Sequence, residues 1–445
     1  MSRLDIRAAR NLEKDPINAI DDIKNKYLPD LYDMFGEIND PRDKRYITYS
    51  SKAMLGQLFF KNIAGITSMQ AMTDAFNNEN TVSRIYSVIG EEVKDFLPHH
   101  VTENEFLERL KPDEVKNILH SIAYKLIRRK TFDDAKVFKK WLVLVDATQT
   151  YSGGRQINEN CLERHYRKDN DSEDEIVNYH LDVLEAKLYI GNNRVISLAS
   201  EFIENSEQDR KKYKHMSADK IKQDCETKAF KRLADKLKKM YPRMPIIILA
   251  DSLYASEPVM EICKTKRWEY IIRFKDGSIP SIAEEYTNIP EKNRVNHAEY
   301  INEIDYKGRK INVLRYYEDV IEKGVAVHKE FQWLTSIKIT DKNAEKLAKT
   351  GRIRWKIENQ GFNRQKNWSA DITHACSHNI NAFKNHYLIM QVSDIVRQLY
   401  EWFYLEKNGI KKTYKKISSD LQLALSKQFV RLEDTQNAEA NKAFC

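Results

Sequence analysis

Two apolar runs of similar design each end in an aspartate. The runs "WLVLVD" at 141–146 and "PIIILAD" at 245–251 place β-branched and leucine residues directly before Asp146 and Asp251. Neither run alternates between polar and apolar residues, which predicts strands that are buried on both faces, as in a central parallel pair. A carboxylate at the end of a buried run is costly unless it is solvated or paired with a cation. The repeated pattern therefore predicts one site to which two strands contribute.

The chain between and after these runs alternates in a way that predicts hairpins and crossover helices. The stretches "NYHLDVLEAKLYI" and "RVISLASEFIEN" flank the turn "GNN", and "YINEIDYKGRKINVLRYYED" alternates on both sides of "KG". A charged helix is predicted at about 217–240, and another in "EPVMEICKTKR" before the strand "WEYIIRFK". A polar loop is expected directly after Asp146. This order predicts an α/β domain with a mixed sheet.

Helices are predicted in the parts of the chain before and after this sheet. Residues 1–140 contain amphipathic stretches such as "SSKAMLGQLFFKNIAGI", which a serine can cap. Two shorter stretches around "NNEN" predict a packed helix pair, and a DNA-reading pair is the alternative. A helix at about 380–404 carries an apolar stripe wide enough to cover a sheet face. The members of that stripe are Phe383, Tyr387, Met390, Ile395 and Leu399.

Composition and charge narrow the class of protein. The 445 residues suffice for several domains. No window approaches the roughly 18 apolar residues of a membrane span, and the N-terminus has no apolar signal core, so we expect a cytoplasmic protein without a membrane partner. Five cysteines without a CxxC pair fit a reducing compartment. The net charge of +8 is concentrated in basic clusters, each of which fits a solvated helix face but which together favour a polyanionic partner.

A third acidic residue, Glu358, lies in the stretch "GRIRWKIENQGFNRQKN", one helical turn after Arg354. Its neighbours include Trp355 and Phe362, which is unusual for a plain surface helix. Oxygen ligands from such carboxylates suit Mg²⁺ or Mn²⁺. The cluster "HACSH" at 374–378 lacks the further ligand that zinc needs. No phosphate-binding GxxxxGK[ST] loop or GxGxxG motif is present, so the sequence does not indicate ATP or NAD.

The order and spacing of several motifs resemble a known family. The stretches "DATQTYS", "LEAKLYI", "ISLASEFIEN", "QDCETKAFKRLADKLKK", "LADSLYASEPVMEICK" and "RWKIENQGFNRQKN" are similar to bacterial insertion-sequence transposases of the DDE class. The resemblance covers about 139–404 and is to the cut-and-paste group, which has a β-rich insertion between the second Asp and the Glu. It implies a ribonuclease-H-like fold with Asp146, Asp251 and Glu358 as the catalytic, metal-binding triad. It also implies two Mg²⁺ or Mn²⁺ ions, with Asp146 bridging them.

This resemblance implies a division of the chain into domains. We expect a helical N-terminal domain at 1–138 that binds DNA ends, and a mixed α/β, ribonuclease-H-like core at 139–275 and 341–404. A β-rich insertion is expected at 276–340 and a basic tail at 405–445.

The motif around Glu358 departs from the family pattern at two positions. The group usually has a Tyr three residues before the Arg and a Lys seven residues after the Glu. Here Gly351 and Gln365 occupy those positions, and Lys366 follows Gln365. The DNA contacts that we expect are therefore Arg354, Gln365 and Lys366. Trp333 in the insertion either stacks on an unpaired base or packs in the core.

The implied activity is metal-dependent DNA cleavage and strand transfer. The enzyme would cut at the terminal inverted repeats of an insertion sequence and join the freed 3′-hydroxyl ends to target DNA. Two ends must be joined, so we expect a homodimer on double-stranded DNA, in the cytoplasm at the bacterial nucleoid. The alternatives are a related nuclease that cuts without joining and a domesticated DNA-binding protein without catalysis.

Overall fold

A computed structural model describes residues 14–167, 175–213, 223–275, 279–322 and 325–427. The chain forms two compact units, residues 1–118 with 365–445 and residues 119–364. The α-helices are α1 Pro16–Tyr27, α2 Leu31–Gly36, α3 Ser51–Ile63, α4 Met69–Phe76, α5 Glu79–Ile89, α6 His100–Arg109, α7 Pro112–Arg128, α8 Glu207–Tyr213, α9 Glu226–Met240, α10 Glu257–Lys266, α11 Pro280–Thr287, α12 Ala344–Arg352, α13 Asn363–Asn367, α14 Ile380–Tyr400 and α15 Tyr414–Ser426. The strands are β1 Trp141–Gly153, β2 Leu162–Arg167, β3 Glu175–Gly191, β4 Arg194–Ile203, β5 Ile246–Ala250, β6 Glu269–Phe274, β7 Arg294–Val295, β8 Ala298–Tyr306, β9 Arg309–Glu322 and β10 Val325–Thr335. None of these helices combines the length and apolarity that a bilayer crossing requires.

The first unit is helical, as the sequence predicts for the N-terminal part. Ser50, Ser68 and Asn78 cap α3, α4 and α5 through their side-chain oxygens. Helix α14 forms the centre of this unit and is buried from Asn385 to Tyr400. The side-chain nitrogen of the buried Asn385 on this helix donates to the carbonyls of Leu107 and Leu110 at 2.9 and 2.8 Å.

This placement of α14 changes the predicted domain boundaries. The sequence analysis assigns residues 341–404 to the catalytic core, but the structure groups residues 365–445 with the N-terminal helices. The apolar stripe of α14 led to the expectation that it covers a sheet. Because the opposite face of α14 is buried as well, it packs inside a helical bundle instead. Residues 428–445 of the predicted tail lie outside the described residues.

The second unit is built on one mixed sheet. Its strand order is β2-β3-β1-β5-β6-β10-β9-β8-β7, with β4 paired to β3. Strand β1 is parallel to β5 and antiparallel to β3, and β5 is parallel to β6. This arrangement confirms the predicted α/β domain with a mixed sheet and the predicted central parallel pair.

Both predicted hairpins are present, and the insertion continues the core sheet. Asn192 and Asn193 turn between β3 and β4 with φ of 46° and 56°, and Lys307 and Gly308 turn between β8 and β9 with φ of 47° and 76°. Positive φ at both central residues is typical of a type I′ hairpin turn, which matches the twist of the strands. Strand β10 pairs with β6, so the β-rich insertion extends the sheet of the core.

The sequence analysis is wrong about the chain that directly follows Asp146. The predicted polar loop is a continuation of β1, which runs to Gly153 and pairs with β3 across a bulge between Gln149 and Tyr151. Thr148 and Thr150 are buried along this extension, and the Thr150 hydroxyl donates to the carbonyl of Leu181 at 2.9 Å. Threonine is polar by composition but fits a half-buried strand well. Asp146 therefore lies within a strand rather than at its end.

Trp333 on β10 packs against α12 in the core of the second unit. The indole is 2% exposed and stacks on Phe331 with a centroid distance of 5.9 Å. A Cβ atom added at Gly351 would lie 2.4 Å from the indole nitrogen. Only glycine therefore allows α12 to approach this closely. Of the two alternatives for Trp333, the structure shows core packing.

We predict that Gly351→Ala destabilises the protein. Alanine favours a helix over glycine by about 1 kcal/mol, but overpacking a well-packed core typically costs about 1–3 kcal/mol. The net loss should appear as a lower free energy of unfolding in urea. Gly36→Ala is the matched control, because a Cβ atom there would meet only Lys52, at 3.7 Å. A Gly351→Ala protein as stable as the Gly36→Ala protein would contradict the prediction.

Candidate active site

Asp146 and Asp251 occupy equivalent positions just beyond the parallel pairing of β1 and β5. The last paired residues are Leu144 and Leu249, and each aspartate follows two residues later. Strand β5 ends at Ala250, and the Asp251 Oδ1 accepts a hydrogen bond of 2.9 Å from the Leu253 amide. Asp251 thus also caps the turn Ser252–Tyr254. The sheet opens here because β5 turns away while β1 continues beside β3.

Glu358 is held by a π-helical turn, Ile357–Phe362. Ile357 and Phe362 are 0% and 4% exposed, so they anchor the turn on the sheet. π-helical turns occur frequently at functional sites. The apolar residues around Glu358 in the sequence are therefore the anchor that holds this carboxylate in place.

One guanidinium group joins Asp146 and Glu358. The Arg354 Nη1 lies 2.8 Å from the Glu358 Oε1 and donates to the Asp146 Oδ2 at 3.2 Å. Arg354 is 9% exposed. Residues that are separated by more than 200 positions in the chain are thus in one hydrogen-bonded group.

The negative charge around Asp146 exceeds the positive charge that Arg354 supplies. Burial raises the pKa of Asp146 to about 7, and the Arg354 guanidinium only partly opposes this rise. The charges of Asp251, Glu358 and Glu226 raise the pKa further. The charge of Asp251 therefore acts on Asp146, although no hydrogen bond links Asp251 to Asp146, Arg354 or Glu358 among the described contacts.

Glu226 is an acid of this site that the sequence analysis missed. It begins α9, and the Tyr254 hydroxyl donates to its Oε2 at 2.9 Å. Burial raises the pKa of Glu226; the hydrogen bond from Tyr254 lowers it, and the charges of Asp251 and Asp182 raise it again. An acidic residue in the first turn of a helix is common because it complements the helix dipole. The sequence therefore gave no reason to single out Glu226.

The donor set fits a divalent cation in its chemistry. Carboxylate oxygens are the ligands that Mg²⁺ and Mn²⁺ prefer. A buried carboxylate whose pKa rises to about 7 lacks sufficient positive charge nearby. As the side chains lie, no three His, Cys, Asp or Glu residues among the described ones converge well enough to hold a metal ion, and Arg354 supplies the cation between Asp146 and Glu358.

The structure shows where the four residues predicted to contact DNA lie, and two of them fill the interior of their units. Gln365 is fully buried and donates to the Gln391 Oε1 at 2.9 Å and to the Asp394 Oδ2 at 3.0 Å. Trp333 lies in the core, and Arg354 is bonded to carboxylates. Lys366 is half-buried. Of the expected contacts, Gln365 and Trp333 do not present their side chains at the surface, because both fill the interior of their units.

A basic groove lies beside Arg354 on the second unit. It has a volume of about 480 Å³ and is lined by Lys329, Phe331, Lys349, Arg352, Ile353, Trp355, Lys356 and Asn359. None of these lining residues is acidic. Trp355 is 49% exposed, and the Arg354 guanidinium lies over its ring at 5.3 Å. The groove therefore offers cations and an exposed aromatic ring next to the acidic group.

Comparison with known proteins identifies part of the chain. Residues 222–392 match the family model described as a transposase DDE domain, and this segment contains Asp251 and Glu358. Comparison with curated proteins finds no match. A solved structure of a piggyBac transposase synaptic complex with hairpin DNA is similar at 10% identity, covering 96% of this chain and 85% of that one with a TM-score of 0.43.

The raised pKa of Asp146 predicts a specific dependence of stability on pH. The folded pKa is about 7, and an unfolded aspartate has a pKa of about 3.9. Between these values the folded state binds the extra proton, so stability falls as the pH rises from about 4 through about 7. Without divalent metal, the free energy of unfolding of the wild type should fall by roughly 2–4 kcal/mol across this pH window, relative to that of Asp146→Asn. Urea unfolding at several pH values measures the difference.

The control is Asp305→Asn, which removes an exposed carboxylate in the insertion that is paired with Lys310. Its stability should follow the wild-type curve across the same pH range. If the free energies of unfolding of the wild type and of Asp146→Asn change in parallel with pH, Asp146 is not the source of the pH dependence.

Proposed function

We propose that this chain is a DDE transposase, because residues 222–392 match a transposase DDE domain, and that Asp146, Asp251 and Glu358 are the catalytic triad with which it cuts and transfers DNA. The observation that carries the proposal is the Arg354 guanidinium, which joins Asp146 to Glu358. Glu358 and Asp251 lie inside the matched domain, and Asp146 precedes it in the chain. Arg354 joins Asp146 and Glu358 directly, and the charge of Asp251 acts on Asp146.

We propose that the triad holds Mg²⁺ or Mn²⁺, two ions in the full complex, with Glu226 close by. When bound, such ions polarise the scissile phosphodiester and lower the pKa of a bound water. The side chains prepare the site for this role. Asp146 is desolvated and gains most from an added cation, and Arg354 keeps Asp146 and Glu358 close together while no metal is present.

The proposed reaction is transfer of a phosphodiester in two steps. In the first step a water oxygen bonds to phosphorus at the end of the element, the bond from phosphorus to the 3′-oxygen breaks, and a 3′-hydroxyl is freed. In the second step that hydroxyl attacks a phosphodiester of the target DNA and displaces its 3′-oxygen. The protein places the reacting groups and balances charge, since little covalent chemistry falls to side chains.

The basic groove is the proposed path of the DNA strand that enters the site. Lys329 and Lys356 supply positive charge for phosphates, and Trp355 offers a face on which a base can stack. Lys349 and Arg352 also line the groove, but each is paired with an acid, Glu345 and Glu318 respectively. We keep Lys366 as a further proposed DNA contact. Arg354 would reach DNA only by leaving its two carboxylate partners.

We propose that the substrates are the terminal inverted repeats of a bacterial insertion sequence and a target duplex, brought together by a homodimer. The helical first unit is proposed to read the repeats. A DNA substrate of this kind places the enzyme at the nucleoid, in the cytoplasm.

We predict that Asp146→Asn, Asp251→Asn and Glu358→Gln each lower Mg²⁺-dependent cleavage of DNA ends by more than about 100-fold, because each removes charge that would face the reacting phosphate. Cleavage of labelled duplex ends on a denaturing gel measures the rate. Asp305→Asn is the matched control and should cleave as the wild type does. Wild-type cleavage by Asp146→Asn or Glu358→Gln would refute the proposed triad.

The same gel separates transposition from simple nuclease activity. A transposase yields joined products of donor and target DNA, whereas a nuclease yields only cut ends. Specific binding of DNA without any metal-dependent cleavage by the wild type would instead favour a DNA-binding protein that has lost catalysis.

We predict that the basic groove contributes to DNA affinity in two separable ways. Trp355→Ala should weaken binding to DNA with an unpaired end by about 1–3 kcal/mol, because a stacked base is lost. Lys356→Ala should lower the slope of log affinity against log salt by about 1. Fluorescence anisotropy at several salt concentrations measures both quantities. Lys338→Ala, an exposed lysine outside the groove, is the control, and an equal effect there would exclude the groove as the specific path.

A further inference from the structure

A buried ion pair lies on β3, in the sequence "LEAKLYI". The side chains of Glu185 and Lys187 are both 0% exposed, and the Lys187 Nζ lies 3.6 Å from the Glu185 Oε2. The hydroxyls of Ser197 and Ser200 on β4 donate to the two oxygens of Glu185, the first at 2.6 Å. The carboxylate is thus held by Lys187 on its own strand and by the neighbouring strand β4.

The register of the sheet places this pair next to the catalytic strand. Glu185 lies directly opposite Asp146 in the antiparallel pairing of β1 and β3. Directly opposite residues project to the same face of a sheet, and so do residues two apart on one strand. Asp146, Glu185 and Lys187 therefore share one face.

The same lysine contacts the turn that carries Glu358. A Cβ atom added at Gly361 would lie 3.1 Å from the Lys187 Cδ and 3.2 Å from its Cε. The Lys187 Nζ lies over the Phe362 ring at 5.7 Å. Gly361 and Phe362 both belong to the π-helical turn Ile357–Phe362. The lysine stem therefore fills the space between β3 and this turn.

We propose that Lys187, held by Glu185, is a positioning residue that sets the π-helical turn on the sheet so that Glu358 faces Asp146. The inference rests on the proposed triad. A buried ion pair is often no more stabilising than well-packed apolar residues, so stability alone does not explain charges at this place. The pair fixes the reach and direction of the lysine stem. Gly361 allows the turn to lie directly on that stem.

The test separates positioning from stability with a charge-neutral double variant. Lys187→Met alone leaves the Glu185 carboxylate buried without its cation, so the urea midpoint should fall. Glu185→Gln with Lys187→Met removes both charges and should return the midpoint to the wild-type value. The kcat for DNA cleavage by this double variant should remain about 10- to 100-fold below that of the wild type, while its affinity for DNA is unchanged.

A second readout does not depend on activity. The concentration of Mg²⁺ that gives half of the metal-induced thermal stabilisation, measured without DNA, should rise in the double variant. Gly361→Ala should have the same two effects because the added methyl group lifts the turn off Lys187. Gly154→Ala is the matched control, since a Cβ atom there meets nothing within 4 Å.

The double variant overturns the inference if its urea midpoint, kcat and Mg²⁺ midpoint all equal those of the wild type. If its urea midpoint does not recover, Gly361→Ala decides: wild-type kcat and Mg²⁺ midpoint in that variant overturn the inference, and loss of both supports it. Asp146→Asn is run in parallel. If Asp146→Asn cleaves DNA as fast as the wild type, the proposed triad itself is refuted. If Asp146→Asn is inactive while the double variant is fully active, only the role of Lys187 is refuted.

Discussion

The desolvation of Asp146 is the constraint on which the second unit depends. The carboxylate lies within a continuous strand, and burial raises its pKa to about 7. Arg354 donates to it and is shared with Glu358. Asp251 and Glu226 add further negative charge. Arg354, which lies between helix α12 and the π-helical turn, supplies one cation to this group. In the proposed reaction, this excess of negative charge would draw metal ions to the place where the phosphate reacts.

The insertion supports the site through packing. Strand β10 continues the core sheet beyond β6, and Trp333 on β10 meets α12 at Gly351. Helix α12 ends at Arg352, directly before the stretch that carries Arg354 and Glu358. The position of the arginine therefore depends on a tryptophan in the insertion. The glycine that departs from the family pattern is explained by the same contact, because the indole fills the space that a larger side chain would need.

Much of the mixed sheet in the second unit could be predicted, because the sequence patterns that predict its strands and turns are local. The uninterrupted apolar sequences of 141–145 and 246–250 predicted the parallel pair, and the turn sequences at Asn192–Asn193 and Lys307–Gly308 predicted both hairpins. Other features depend on tertiary contacts that local patterns do not record. Thr148 and Thr150 looked like loop residues, although pairing with β3 buries them. Glu226 looked like an ordinary helix start. Helix α14 looked amphipathic, but its polar residues find partners inside the first unit.

The π-helical turn also bears on how motif spacings are counted. A π-helical turn accommodates one residue more than a regular turn, since its hydrogen bonds run from residue i to i+5. A spacing defined on a regular helix then falls one residue short in this chain. The family pattern expects a lysine seven residues after the glutamate, whereas Lys366 follows Glu358 by eight residues. The π-helical turn Ile357–Phe362 carries Glu358 and precedes Lys366, so alignments of such motifs should allow a one-residue gap wherever a helix widens.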